Sequence, residues 1–199
     1  MLILGICGSP NPNGNTAYML NLGLEEAARL GAKTQLIHVS EALDSCATPF
    51  CISCSKPCKG ACMADTEMEK VIELVRKADG IIFGSPVYFG TISGQLKAFF
   101  DKLRYLRGEY ALLNTVGGVV AVGHSNYGGE EQTMAAMRDA MLVYGMTIVG
   151  NTQQDVGVGH GGVGLADPAK GNEDAEKKML VLAKRIVDVA EATKSLRKR

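Results

Sequence analysis

Short apolar segments alternate along the chain with amphipathic helical patterns, and this alternation is the feature that most constrains the fold. Apolar runs predict five strands, at residues 2–6, 34–39, 81–83, 116–122 and 147–149. Apolar residues at helical spacing lie between and after these runs, for example Leu20, Leu24 and Ala27 after the first. Strands and helices that alternate in this way form a parallel sheet with helices on both faces.

Three loops of such a fold are predicted to meet at one edge of the sheet. Residues 8–16 (GSPNPNGNT), 84–90 and 123–129 each follow an apolar run, and all three are rich in Gly, Ser, Asn or aromatic residues. Ligands of doubly wound sheets bind beyond the carboxyl ends of the strands. The three loops together therefore indicate a ligand site at that edge.

The first of these loops has the composition of an anion site. The first amides of a helix have no intrahelical acceptor, and the helix dipole adds partial positive charge there. Gly8 and Gly14 allow the backbone to approach a ligand closely. No Lys or Arg precedes Arg29, and the loop matches neither the Walker A sequence nor the dinucleotide glycine pattern. A monophosphate such as that of FMN suits it, and the alternative is a plain β–α turn with an Asn N-cap.

The other two loops carry residues suited to a flat heteroaromatic ring. Tyr88 and Phe89 would supply an aromatic wall, although one of the two is expected to pack beneath its loop. Residues 125–127 would line the opposite edge of the ring, and His124 would donate either to a ring carbonyl or in a structural hydrogen bond. The sequence contains no Ser-His-Asp arrangement, HExxH motif or paired carboxylates. A cofactor is therefore expected to carry the chemistry, with no catalytic side chain.

Residues 40–65 show no usable periodicity and contain five of the six cysteines. No stretch is apolar enough to span a bilayer, and the first apolar run lacks the charged region of a signal peptide, so a cytoplasmic protein is expected. Cytoplasmic thiols stay reduced or bind metal. The compact C-x2-C-x3-C-x3-C run suits a 4Fe–4S cluster, and the alternatives are free or redox-active thiols and zinc. The predicted ligands are Cys51, Cys54, Cys58 and Cys62.

The length and the net charge of the chain limit the number of domains and the classes of partner. The chain has 199 residues, and we expect a single domain over residues 1–199 with a cysteine-rich insertion at about 44–64. The formal net charge is zero, which gives no argument for nucleic acid or membrane. The basic residues 194–199 are expected to form a solvated end, residues 151–171 a mobile flap, and residues 66–69 a capping box. Cys7 and Cys46, outside the run, are expected to be structural.

Four stretches carry a resemblance to a known family: GICGSPNPNGNT, the cysteine run followed by MADTEM, ADGIIFGSPVYFGTISGQLKAFFDKL, and GGEEQT…YGMTIVG. The sequence resembles the flavodoxin-like NAD(P)H-dependent FMN reductase superfamily, in particular its iron–sulfur flavoprotein branch. The resemblance implies an α/β fold with a flavodoxin-like, doubly wound, five-stranded parallel sheet in the order 2-1-3-4-5, bound FMN, and a homodimer or homotetramer. The predicted FMN-binding residues are Ser9, Pro10, Asn13, Asn15, Thr16, Ala17, Pro86, Val87, Tyr88, Phe89, Ser125, Asn126, Tyr127 and Gly128.

The chain departs from that family's pattern at three points, one of which is the three residues between Cys54 and Cys58, where the family's usual motif has two. Asn11 stands where many relatives carry Arg, and the motif GGEEQT replaces the more usual GGQETT. Two functions fit the resemblance. The first is an oxidoreductase in which FMN takes hydride from NAD(P)H and passes electrons to a quinone, a flavin or another small acceptor. The second is an electron carrier that exchanges electrons with a ferredoxin-like partner. A third alternative makes the cysteine segment a zinc-held interaction module.

Overall fold

The computed structural model describes residues 1–154 and 156–197. The strands are β1 (Leu2–Cys7), β2 (Lys33–His38), β3 (Gly80–Pro86), β4 (Val116–Gly123), β5 (Thr147–Ile148) and β6 (Val163–Ala166). The helices are α1 (Asn15–Arg29), α2 (Val39–Asp44), α3 (Glu67–Lys77), α4 (Gly94–Lys102), α5 (Arg104–Arg107), α6 (Glu130–Val143) and α7 (Glu173–Ala192). A 3-10 turn, Lys194–Leu196, follows α7.

The sheet has the predicted strand order. All pairs are parallel, and the order β2-β1-β3-β4-β5 confirms the doubly wound, flavodoxin-like α/β fold. This order places the ends of β1, β3 and β4, and hence the three predicted ligand loops, next to one another at one edge of the sheet.

The expected count of five strands is wrong, because two strands share the fifth position. β5 pairs with Val116 and Gly117 at the start of β4, and β6 pairs with residues 120–123 at its end. Val163 and Leu165 are buried, whereas Gly164 between them is exposed. The predicted mobile flap over residues 151–171 therefore contains a strand of the sheet.

Both faces of the sheet are covered, because alternate strand residues point to opposite sides. Leu4, Ile81 and Phe83 lie in the core on the side of α2 to α6. Ile3 and Ile82 lie in the core on the side of α1 and α7. Three methionines of α6 that were expected in the core are buried there: Met134, Met137 and Met141.

The region around the cysteine segment is more ordered than its sequence indicates. The helix α2 occupies its first residues, which were expected to be irregular.

The capping box predicted for residues 66–69 does not form with the expected partners. The Thr66 hydroxyl donates to the carbonyl of Met63, so the start of α3 is capped instead by the hydroxyl of Ser45, which accepts from the amide of Met68 at 3.2 Å.

The carboxyl end of the described chain is solvated only in part: residues 194–196 are exposed, as expected, whereas Arg197 packs against the domain. Arg197 is 9% exposed. Its guanidinium lies 3.4 Å from the carboxylate of Asp79 and donates to the carbonyl of Ala190. Residues 198–199 of the expected tail lie outside the described residues. No helix among the described residues is both long and apolar enough to cross a membrane.

Candidate functional site

The start of α1 presents unsatisfied donors at the edge of the sheet. The helix begins at Asn15, and the residue before it is Gly14, so the alternative of a turn capped by an Asn side chain is wrong. In the described part of the chain, no acceptor meets the amides of Asn15, Thr16 and Ala17, and the first turn has no acidic residue. Thr16 is 2% exposed, and no described residue hydrogen-bonds its hydroxyl. Such a helix start is suited to binding an anion.

The loop before α1 holds its shape through its own polar side chains. The buried Ser9 hydroxyl accepts from the amide of Asn11 at 3.2 Å, and the Asn11 side chain accepts from the amide of Asn13 at 3.1 Å. Pro10 and Asn13 are exposed. Of the predicted phosphate ligands, Thr16 and the helix amides thus have no hydrogen-bond partner among the described residues. The Ser9 hydroxyl, in contrast, stabilises the turn.

Asn15 contacts a distant segment of the chain. Its side-chain oxygen accepts from the amide of Ala169 at 3.1 Å, which brings residues 167–171 to the start of α1. The side-chain nitrogen of Asn15 has no hydrogen-bond partner among the described residues. No local pattern predicts this contact, because the two residues are 154 positions apart.

The loop after β3 projects both of its aromatic side chains to the surface. Tyr88 forms a two-residue bridge with Thr91, with N···O distances of 2.9 and 3.2 Å. Phe89 and Gly90 between them have φ values of 51° and 76°. Tyr88 is 42% exposed and Phe89 is fully exposed, so the expectation that one of the two packs beneath the loop is wrong. Val87 and Pro86 are half-buried behind them.

The loop after β4 touches the loop after β3. Gly129, with φ +118°, lies so close to Gly90 that an added Cβ would sit 2.7 Å from the Cα of Gly90. Residues 124–128 between the strand and this glycine are all exposed, and Tyr127 is fully so. The structure therefore brings the predicted ring residues of both loops to one surface.

His124 makes a structural contact through one ring nitrogen, and its expected donation to a ring carbonyl stays a prediction. Its Nδ1 lies 3.1 Å from the carboxylate of Asp167, and the amide of Asp167 donates to the carbonyl of Gly123 at 2.9 Å. The ring itself is largely exposed. The residues that follow β6 are thus fastened to the loop after β4.

Ser93, which the sequence analysis did not identify, joins the first two loops. It is fully buried; its hydroxyl donates to the carbonyl of Gly8 at 2.6 Å and accepts from the amide of Leu96 at 3.1 Å. Its amide donates to the hydroxyl of Ser85 at 3.0 Å. A Ser just before the apolar helix pattern signals an N-cap, although the contact with Gly8 has no local signal.

The four thiols of the cysteine run lie on the loop between α2 and α3 without converging. Cys54 is exposed, and Cys51, Cys58 and Cys62 are half-buried. Over residues 1–154 and 156–197, no three His, Cys, Asp or Glu side chains form a group that could hold a metal ion. The loop as folded here therefore does not fit a cluster.

Two basic residues fasten the cysteine loop to the domain. Lys102, only 2% exposed, donates to the carbonyl of Thr48 at 2.9 Å, and its ammonium lies 3.7 Å from the sulfur of Cys62. Arg104 donates to the hydroxyl of Ser53 at 2.7 Å.

The two cysteines outside the run lie in the protein interior, as expected. Cys7 and Cys46 are both buried. Burial raises the pKa of the Cys7 thiol, which keeps it protonated and unreactive.

Comparisons with known proteins agree with this geometry. The model of the family described as NADPH-dependent FMN reductase matches residues 1–160. An iron–sulfur flavoprotein of Methanocaldococcus jannaschii is 39% identical over 176 residues, covering 87% of this chain and 89% of the relative. One from Archaeoglobus fulgidus is 38% identical and covers 99% of both chains. Among solved structures, the flavodoxin, WrbA-like protein from Agrobacterium tumefaciens superposes with a TM-score of 0.68 at 17% identity, covering 96% of this chain and 98% of that one.

Proposed function

The chain belongs to the NADPH-dependent FMN reductase family, in its iron–sulfur flavoprotein branch, and from that premise we propose that it is an FMN-dependent oxidoreductase. It takes electrons from NAD(P)H or a reduced protein donor and passes them to a small acceptor such as a quinone or a flavin. The observation that carries the proposal is the unsatisfied start of α1, with the unpartnered hydroxyl of the buried residue Thr16, beside two loops that expose aromatic side chains.

The residues of the three loops fit FMN. The amides at the start of α1 and the Thr16 hydroxyl donate to the phosphate, since all of them lack a protein partner. Tyr88, Phe89 and Tyr127 provide exposed aromatic surface for the ring. Bound FMN supplies the hydride and electron chemistry. The protein's part is to hold the phosphate and to shield the ring, while Ser93 keeps the first two loops in register.

We expect purified protein to carry one FMN per chain and not FAD. The loop before α1 ends in a single helix start that suits a terminal monophosphate, and it lacks the dinucleotide glycine pattern. Mass spectrometry of the released cofactor measures this, and recovery of FAD would contradict it. Anaerobic mixing with NADH, NADPH or a chemically reduced ferredoxin then separates the two functions. Flavin bleached only by the ferredoxin would favour the electron carrier.

For the cysteine run, we propose a 4Fe–4S cluster in a cytoplasmic protein. The compact spacing of four cysteines within residues 51–62 supports it, as do the names of the archaeal relatives. Because the thiols do not converge in the present loop conformation, a cluster requires the loop to refold around it. The homodimer or homotetramer and the ferredoxin-like donor stay predictions.

Replacing Cys54 with alanine is expected to abolish iron binding and to leave FMN binding unchanged. Cys54 is an exposed member of the run and lies on a different loop from the three that form the proposed flavin site. Iron, labile sulfide and flavin are assayed on anaerobically purified protein, with Cys46→Ala, a buried cysteine outside the run, as the matched control. About four irons per chain are expected in the wild type and the control. Wild-type protein without iron after anaerobic reconstitution would rule out the cluster.

A further inference from the structure

Residues 167–171, here called the strap, connect the two halves of the proposed flavin site. At one end, Asp167 is bound to the loop after β4, through its amide to Gly123 and its carboxylate to His124. In its middle, the amide of Ala169 donates to the side chain of Asn15. Ala169 is fully buried. The strap therefore runs from the proposed ring site to the proposed phosphate site.

The far end of the strap is fixed beside the first turns of α1. The amide of Gly171 donates to the Glu176 carboxylate at 2.8 Å, and the hydroxyl of Tyr18 donates to the same carboxylate oxygen at 2.7 Å. Tyr18 lies one turn after Asn15, so the strap is tied to α1 directly through Ala169, before its fourth residue, and indirectly through Glu176 of α7, after it. That fourth residue is Lys170.

Lys170 is an exposed cation held close to the start of α1. It follows directly the residue that hydrogen-bonds Asn15, and it takes part in none of the ion pairs formed among described residues. Three interactions hold the pKa of the Glu176 carboxyl below its usual value. In order of decreasing effect, they are the hydrogen bond from Tyr18, the hydrogen bond from the Gly171 amide and the charge of Lys170. The charge of Lys170 thus acts on the Glu176 carboxylate, which the Tyr18 hydroxyl of α1 also contacts.

The loop before α1 contains no cation of its own. No Lys or Arg precedes Arg29. We propose that Lys170 supplies this missing positive charge and binds the FMN phosphate from the strap. This inference rests on the proposed function and adds a phosphate-binding residue 155 positions after Asn15 in the sequence. Asn15 then acts as a positioning residue, because it holds the strap in place.

Binding of FMN and of riboflavin to flavin-free protein tests the role of Lys170, since riboflavin lacks the phosphate. We expect Lys170→Gln to weaken FMN binding about three- to fivefold, a size typical of one exposed charge pair, and to leave riboflavin binding unchanged. Lys170→Arg keeps the charge and should bind FMN like the wild type. The matched control is Lys177→Gln, an exposed lysine on α7. Raising the salt concentration should shrink the difference between Lys170→Gln and the wild type.

The outcomes separate this inference from the proposed function. Wild-type FMN affinity in Lys170→Gln would overturn the role of Lys170 while leaving the oxidoreductase intact. An equal loss of FMN and riboflavin affinity would also overturn it, because the strap would then be only structural. Failure of the wild-type protein to bind FMN at all would contradict the proposed function itself.

Discussion

Thr16→Val is expected to weaken FMN binding about ten- to a hundredfold, since a lost hydrogen bond to a charged oxygen costs roughly 1.5–3 kcal/mol. The side chain is 2% exposed, and its hydroxyl meets no described donor or acceptor. Its methyl group packs near Gly84, where an added Cβ would lie 2.9 Å from it. Valine keeps that methyl and the branched shape, so the fold should be unaffected. Titration of flavin-free protein with FMN measures the loss.

The matched control for this variant is Thr34→Val. Thr34 is half-buried near the start of β2, at the opposite edge of the sheet from the three loops. The Thr34→Val variant should bind FMN with unchanged affinity. The thermal stability of both variants should stay close to that of the wild type. If Thr16→Val binds FMN as tightly as Thr34→Val does, the Thr16 hydroxyl does not contact the phosphate.

Gly129→Ala should disrupt the ring side of the site. Gly129 has φ +118°, a conformation that costs other residues about 1–3 kcal/mol. An alanine Cβ would also lie 2.7 Å from the Cα of Gly90, so the loops after β3 and β4 must move apart. We expect FMN affinity to fall at least tenfold, as the two aromatic surfaces separate, and urea unfolding to show a loss of roughly 1–3 kcal/mol.

Gly94→Ala provides the comparison for the glycine variant. Gly94 is the first residue of α4, and an added Cβ there would meet no atom within 4 Å. Because alanine favours helix more than glycine does, this variant should be as stable as the wild type or slightly more stable. Unchanged stability and FMN affinity in Gly129→Ala would show that the two loops can part without harm to the site.

The sheet and the position of its ligand edge were predictable because both depend on local patterns. Buried parallel strands are short apolar runs. Such a run forms each of β1, β3 and β4, and a loop that contains Gly and Ser follows each of them. Parallel order then brings those loops together without further information. The methionines of α6 were predictable for the same reason, since their spacing follows the helix period.

The strand β6 escaped prediction because its pattern is too short. Its four residues, VGLA, contain one glycine and follow two others, which usually mark a loop. Only pairing with β4 and burial of Val163 and Leu165 make it a strand, and both are long-range effects. The same limit applies to Ser93, whose contact with Gly8 spans 85 positions of the sequence. It also applies to the strap, whose contact with Asn15 spans 154 positions.

The burial of charged residues is the other feature that the sequence does not reveal. Lys102 lies in a helical pattern beside Asp101 and reads as a surface residue, yet it is almost fully buried under the cysteine loop. Arg197 belongs to a basic tail and yet pairs with Asp79. Composition places such residues in solvent on average, and only the partners that the fold supplies explain their burial.

The division of the fifth sheet position between β5 and β6 bears on how the protein avoids aggregation. An outer strand exposes unpaired amides and carbonyls to which another chain can add. Here that border consists of two separate pieces of two and four residues, and neither offers an uninterrupted row long enough to template a stable intermolecular ladder. The interruption thus discourages sheet-to-sheet polymerisation along this border, even though the strands beside it are among the most apolar of the chain.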